Sequence, residues 1–213
     1  MNAAKIFALI VAGAFLLGCR SVYYSAWEKL GKQKRDLLQT KVKQVRDGQQ
    51  EASQQLKDAL TRLQEVYGFR GGDLEKTYNA LKRDYERSEQ KAQAVKDRIQ
   101  QMNQIAKDLF KEWEAEAKTI TSPNLRASSL DQLRATRARY EELYDATRKA
   151  EQSLEPVLAR FRDYVLYMKH NLNAQAIGAL QGEARKIQID ISQLIEEMNA
   201  AIRKADEFIR TVQ

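Results

Sequence analysis

The chain has 213 residues, 43% hydrophobic and 31% charged, with two prolines, nine glycines and one cysteine. A stock so rich in helix formers and so poor in turn residues describes long helices, and a lone cysteine excludes an intrachain disulfide framework. The formal charge of +7, from 36 basic and 29 acidic side chains, fits either a solvated mixed-charge coat on helices or an affinity for anionic partners.

Lys5 supplies a short positive region, and Ile6 to Leu17 an apolar run of about a dozen residues, the layout of a secretory signal and too short to span a bilayer. An abruptly polar sequence follows. The closing residues Leu16-Leu17-Gly18-Cys19 resemble the lipobox of bacterial lipoprotein precursors, in which the cysteine thiol is acylated and the bond before it, here Gly18 to Cys19, is cut. That resemblance implies a signal peptide over 1–18, a palmitate-type anchor on Cys19 and a tether over 19–26. The competing readings are an uncleaved N-terminal anchor and a cysteine that happens to follow an ordinary signal. In such lipoproteins an Asp after the cysteine favours retention in the inner membrane, so with Arg20 there the resemblance implies the outer membrane, periplasmic side. Tyr23 and Tyr24 suit either a membrane interface or the start of the first helix's packing face. An exported chain meets little nucleic acid, so envelope polymers and lipid head groups are the anionic partners to expect.

From Trp27 the apolar positions recur in alternating steps of three and four. Leu38, Val42, Val45, Gln49, Ala52, Leu56, Ala59, Leu63 and Val66 form one heptad seam, with Gln49 its polar exception. The spacing predicts a helix over 27–67, containing Gly48 at a cost of roughly 1 kcal/mol relative to Ala. Gly68 to Asp73 is the clearest turn, with Asp73 as the next N-cap. A second helix over 73–118 carries the seam Leu74, Tyr78, Leu81, Tyr85, Ser88, Ala92, Val95, Ile99, Met102, Ala106, Leu109 and Trp113. The stretch Thr119 to Ser129 reads as a break, because Pro123 cannot continue a helix. Ser129 with Gln132, and Ser128 with Asp131, offer capping boxes for a third helix over 129–169. Its seam is Leu133, Thr136, Tyr140, Leu143, Thr147, Ala150, Leu154, Val157, Phe161, Tyr164 and Met168, and Pro156 predicts a kink within it. His170 to Asn173 reads as a tight turn, with Asn173 capping a fourth helix over 174–212. That helix carries Ile177, Leu180, Ala184, Ile187, Ile191, Leu194, Met198, Ala201, Ala205, Phe208 and Val212.

Four seams of similar length joined by short turns predict an all-α fold, an elongated antiparallel four-helix bundle or coiled coil over 27–213. Helices of ~40 to 47 residues would make a rod roughly 60 to 70 Å long. If Cys19 is membrane-bound, the turns at 68–73 and 170–173 share the far end. Phe69, Arg70, Lys169 and His170 are there either a contact surface or, respectively, a ring tucked onto the bundle end and cations complementing a helix C-terminus. Leftover apolar residues Tyr144, Leu158 and Val165 either widen the core or form an interface between copies.

Catalytic constellations fail on residue type. The one histidine, His170, has Tyr167 three residues before it, so the Glu-x-x-His pairs of carboxylate-bridged metal sites are absent, and zinc ligands are too few. Gly13 and Gly18 have the spacing of a phosphate-binding loop, but Cys19-Arg20 stand where Lys and Ser or Thr are needed. Cys19 lacks a neighbouring base for a nucleophile's role. The pairs Glu141-Glu142 and Glu196-Glu197 read as solvated acids on polar faces, and Gly178 with Gly182 as close packing inside the bundle. No cofactor, no metal and no enzyme is expected.

The mature chain also resembles an uncharacterised group of bacterial lipoproteins, a domain of unknown function with coiled-coil character. The resemblance rests on Cys19-Arg20-Ser21 with Tyr23-Tyr24, on Lys34-Arg35-Asp36, on Gly71-Gly72-Asp73-Leu74-Glu75-Lys76, and on Lys169-His170-Asn171-Leu172-Asn173-Ala174-Gln175-Ala176. It implies localisation and no mechanism. The expectation is a lipid-anchored envelope protein with a structural or interaction role, meeting an envelope protein, the cell wall or a second copy, and not nucleic acid. The alternative is a periplasmic carrier or chaperone-like protein holding apolar cargo between helices.

Overall fold

The computed structural model describes residues 34–67, 74–171 and 174–211. Four helices account for nearly all of them: α1 (Lys34–Tyr67), α2 (Leu74–Thr119), α3 (Pro123–His170) and α4 (Ala174–Thr211). The signal over 1–18 with its Gly18–Cys19 junction, the tether over 19–26 and the first residues of the expected helix over 27–33 lie outside the described residues. So do Phe69, Arg70 and the cap at Asn173.

Each helix packs on its neighbours in sequence, and α4 returns to close the ring on α1. Polar contacts across the seams fix the antiparallel register. Between α1 and α2, Lys41 donates to Gln101 at 2.8 Å and Lys91 meets Glu51 at 2.7 Å. Between α3 and α4, Lys204 reaches Glu142 at 3.0 Å, and Arg160 pairs with Asp190. Arg46 ties α1 to Asp206 of α4 at 3.0 Å while also holding Asp47. The two carboxylates raise its already high pKa, Asp47 foremost. The result is the all-α antiparallel four-helix bundle that the heptads specify. Lys34, Thr119, Pro123 and Thr211 stand at one end, and Tyr67, Leu74, His170 and Ala174 at the other. With 48 residues α3 is roughly 72 Å long at 1.5 Å per residue.

The four seams are the core. Every α1 seam residue from Leu38 to Val66 is buried, Gln49 included. On α2 the stripe from Tyr78 to Leu109 is buried and Leu74 and Trp113 pack against its edge. Leu158 and Val165 are buried as well, and Tyr144 packs against the core, so the leftover apolar residues of α3 widen it. Such continuous stripes bind long helices because propensity alone would leave them marginal.

Several local expectations are corrected. α3 begins at Pro123, six residues before the expected Ser129. Proline has no N–H to lose at a first helical position and its fixed φ suits that site, so Pro123 starts the helix instead of breaking it. Ser122 is the N-cap in an extended conformation without a side-chain cap bond, as a residue preceding proline prefers. Neither capping box forms. Ser129 accepts a hydrogen bond from Trp113 Nε1 at 3.0 Å, and Asp131 pairs with Arg134. Pro156 lies inside α3, where the sequence places it. Gly178 and Gly182 face open space, with nothing within 4 Å of an added Cβ, because burying Leu180, Ala184 and Ile187 turns them outward. Gly48, by contrast, lies under the Arg98 guanidinium, whose Nη1 donates to the Gln44 carbonyl at 3.2 Å. Glycine there makes room for a crossing side chain.

Candidate functional site

The seam between α2 and α3 holds two open grooves. Near the Lys34 end an aromatic cluster floors the first. Phe110 meets Tyr140 edge-on at 5.6 Å, Tyr140 stacks on Tyr144 at 6.0 Å, and Phe208 of α4 closes on Tyr140 at 6.0 Å. Asn103 orients the phenols, donating to the Tyr144 hydroxyl at 3.0 Å and accepting from that of Tyr140 at 3.4 Å. Burial pushes the Tyr140 hydroxyl's pKa up, with Tyr144 adding to it. Arg137 lies 5.5 Å over Phe110 and Arg148 lies 6.0 Å over Tyr144, within the range of cation–π attraction. Arg137 also faces Glu114 at 3.5 Å. Lys118, then Arg137, holds that carboxyl below its usual range. The groove encloses about 430 Å³ and is mostly apolar.

The second groove, about 510 Å³, lies further along the same seam over Tyr85, Ala92, Leu154 and Leu158, with Glu89, Lys96, Glu151, Glu155 and Arg162 on its rim. Tyr85 packs edge-on against Phe161 at 5.4 Å and donates to Glu89 at 2.6 Å. Burial, then Glu89, raises its pKa. The first groove is mostly apolar and the second mixed, with charged side chains on both rims.

A third depression, about 270 Å³, opens at the Lys34 end. Among the described residues the helices reach different levels there. From the Tyr140–Phe208 contact, α4 continues only three residues, to Thr211, whereas α3 runs back seventeen, to Pro123. Among the described residues α3 thus overhangs α4 by roughly 20 Å. Leu38, Leu109 and Trp113 floor the pocket, and Arg35 and Arg139 flank it. Neither arginine has a hydrogen-bond or ion-pair partner among the described residues.

Of the expected tip residues, Lys169 and His170 are exposed in the last turn of α3. Two exposed apolar side chains accompany them, Leu166 at 52% and Tyr167 at 44%. Asn171 ends the helix, its N–H reaching the Met168 carbonyl at 3.1 Å and its side chain the Tyr167 carbonyl at 2.9 Å. The Lys169 ammonium in that turn complements the helix dipole. The adjacent acids separate: Glu197 turns into the α3–α4 contact, 10% exposed, accepting from Ser153 at 2.5 Å and facing Lys149 at 3.5 Å. It is therefore not a solvated acid, because Ser153 and Lys149 of α3 offer it donors across the seam.

Sequence reasoning missed the end pocket. Trp113 closing the α2 seam, with Arg139 one residue before the seam position Tyr140, was the available signal. What seam counting could not supply was the stagger of the helix ends.

Among the described residues no group of three His, Cys, Asp or Glu side chains is placed to hold a metal ion, and no helix is long and apolar enough to cross a membrane. None of the curated proteins compared with the chain matches it. The family described as "Protein of unknown function (DUF2959)" matches residues 23–212, nearly the whole chain and all four helices, and the chain belongs to that family.

Proposed function

We propose that the chain is a lipid-anchored structural or interaction protein of the bacterial cell envelope. An acyl group on Cys19 holds it to the periplasmic side of the outer membrane, and it catalyses no reaction. The observation that carries this reading is an apolar run closing on Leu16-Leu17-Gly18-Cys19 directly ahead of a long helical bundle. A single acyl chain gives only marginal, reversible attachment, so firm anchoring calls for further acylation or a second membrane contact. The bundle's far end, with Leu166, Tyr167, Lys169 and His170 exposed, is the surface offered to an envelope protein, the cell wall or a second copy. Nucleic acid is not the partner.

The test is metabolic labelling with an alkyne palmitate, followed by membrane fractionation. The parent chain should take up label and fractionate with the outer membrane, and Cys19→Ser should do neither. A Cys19→Ser chain that matures and fractionates like its parent overturns the reading. A second reading, a carrier for apolar cargo, draws on the mostly apolar groove over Phe110, Tyr140 and Tyr144. Lipid or peptide recovered in stoichiometric amounts from the purified protein would favour it.

A further inference from the structure

We infer that the pocket between Arg35 and Arg139 binds the headgroup of an anionic phospholipid. This second contact sets the Lys34 end of the bundle on the bilayer surface. The inference rests on the anchored reading for its place in the cell, but not for its chemistry.

Three features of the pocket choose the ligand. Among the described residues its two guanidiniums have no partner and its lining contains no carboxylate. Guanidinium is weakly hydrated and matches phosphate oxygens with paired donors, so two such groups over one depression favour a phosphodiester. The floor is apolar. Leu38 and Leu109 lie buried beneath it, and the part-buried Trp113 is left to meet the glycerol and first methylenes of a lipid, which a free phosphate ion does not possess. The indole of Trp113 completes the wall, with its Nε1–H already given to Ser129, and indole is the ring favoured at headgroup depth.

Position agrees with chemistry. The pocket lies at the end where α1 starts, and the segment bearing Cys19 precedes Lys34 in the chain. On the overhang beside it Leu125, 64% exposed, projects from the first turn of α3. A large aliphatic side chain there is at home among headgroups and lipid tails.

The test uses the full-length chain in neutral detergent with Trp27→Phe, which leaves Trp113 as its one indole. Dihexanoyl phosphatidylglycerol, titrated below its micelle concentration, should change Trp113 emission saturably. Dihexanoyl phosphatidylcholine and inorganic phosphate should not. Arg35→Gln with Arg139→Gln should weaken the anionic lipid by about tenfold or more, the scale of lost charge-assisted hydrogen bonds. Arg83→Gln with Arg185→Gln, an equal charge change elsewhere, should leave binding intact. The Arg35 and Arg139 variants are read only with a parental helical spectrum and melting temperature; if they melt early, Arg35→Lys with Arg139→Lys replaces them and should weaken binding in the same direction. Equal response to both lipids, saturation by phosphate alone, or parental affinity in the arginine variants overturns the inference. None of these outcomes bears on acylation, which the Cys19→Ser fractionation decides separately.

Discussion

Gln49 occupies a core position of α1 with neither its Nε2 nor its Oε1 hydrogen-bonded to protein. A buried amide without partners carries its desolvation cost uncompensated, whereas an apolar side chain of similar shape removes it. Gln49→Leu should therefore stabilise the bundle by about 1–3 kcal/mol, read as a higher urea midpoint at unchanged slope. The Tyr164 hydroxyl is buried and unpaired in the same way, and burial pushes its pKa up to about 12. Tyr85 and Tyr140 shift in the same direction. In the unfolded chain these phenols ionise near pH ~10. Folded values above the unfolded one mean that the stability due to their neutral forms is fully present below about pH 10. It is lost as the pH rises toward 12. The urea midpoint should stay level from pH ~7 to ~9 and fall between ~10 and ~12, and the fall should be smaller in Tyr164→Phe.

At the scale of single helices, α3 is the informative case. It tolerates Pro156 inside a continuous run, although the ring removes one backbone donor and crowds the preceding turn. The apolar stripe on both sides, from Ala150 through Leu154 and Val157 to Phe161, outweighs that penalty. Pro156→Ala should accordingly stabilise the protein by about 1–3 kcal/mol, measured by thermal melting. The stripes themselves were legible in the sequence, because a heptad repeat states directly which residues face inward, and from Tyr140 to Met168 each named position of α3 is buried. The start of the helix was not legible. Pro123 can break a helix or begin one, and only the path of the preceding residues decides. The serines after it resembled caps because a cap is defined by short spacing, while Ser129 is used instead by an indole sixteen residues earlier. The groove floors were half visible, as aromatic seam positions, but their rims depend on which charges adjacent helices bring together.

For the whole molecule, the ring of four antiparallel helices sets dimensions that solution scattering can read. A single bundle with α2 and α3 of 46 and 48 residues should give a maximum dimension of at least about 70 Å for the described part. A compact particle near half that length would contradict the bundle. The stagger at the Lys34 end belongs to this scale too, since no one helix contains it. Among the described residues it brings Arg35 of α1, Trp113 of α2 and Arg139 of α3 around the pocket beside Thr211.

The same ring has a kinetic meaning. Three of its four seams join helices consecutive in the chain, and only the α1–α4 seam brings distant segments together. Local hairpins can therefore zip before the loop entropy of ring closure is met, the pattern of fast-folding topologies. Folding from the N-terminus would assemble α1 on α2, add α3, and dock α4 last. Substitutions confined to the α1–α4 seam, such as Asp206→Ala opposite Arg46, then act mainly by hastening unfolding.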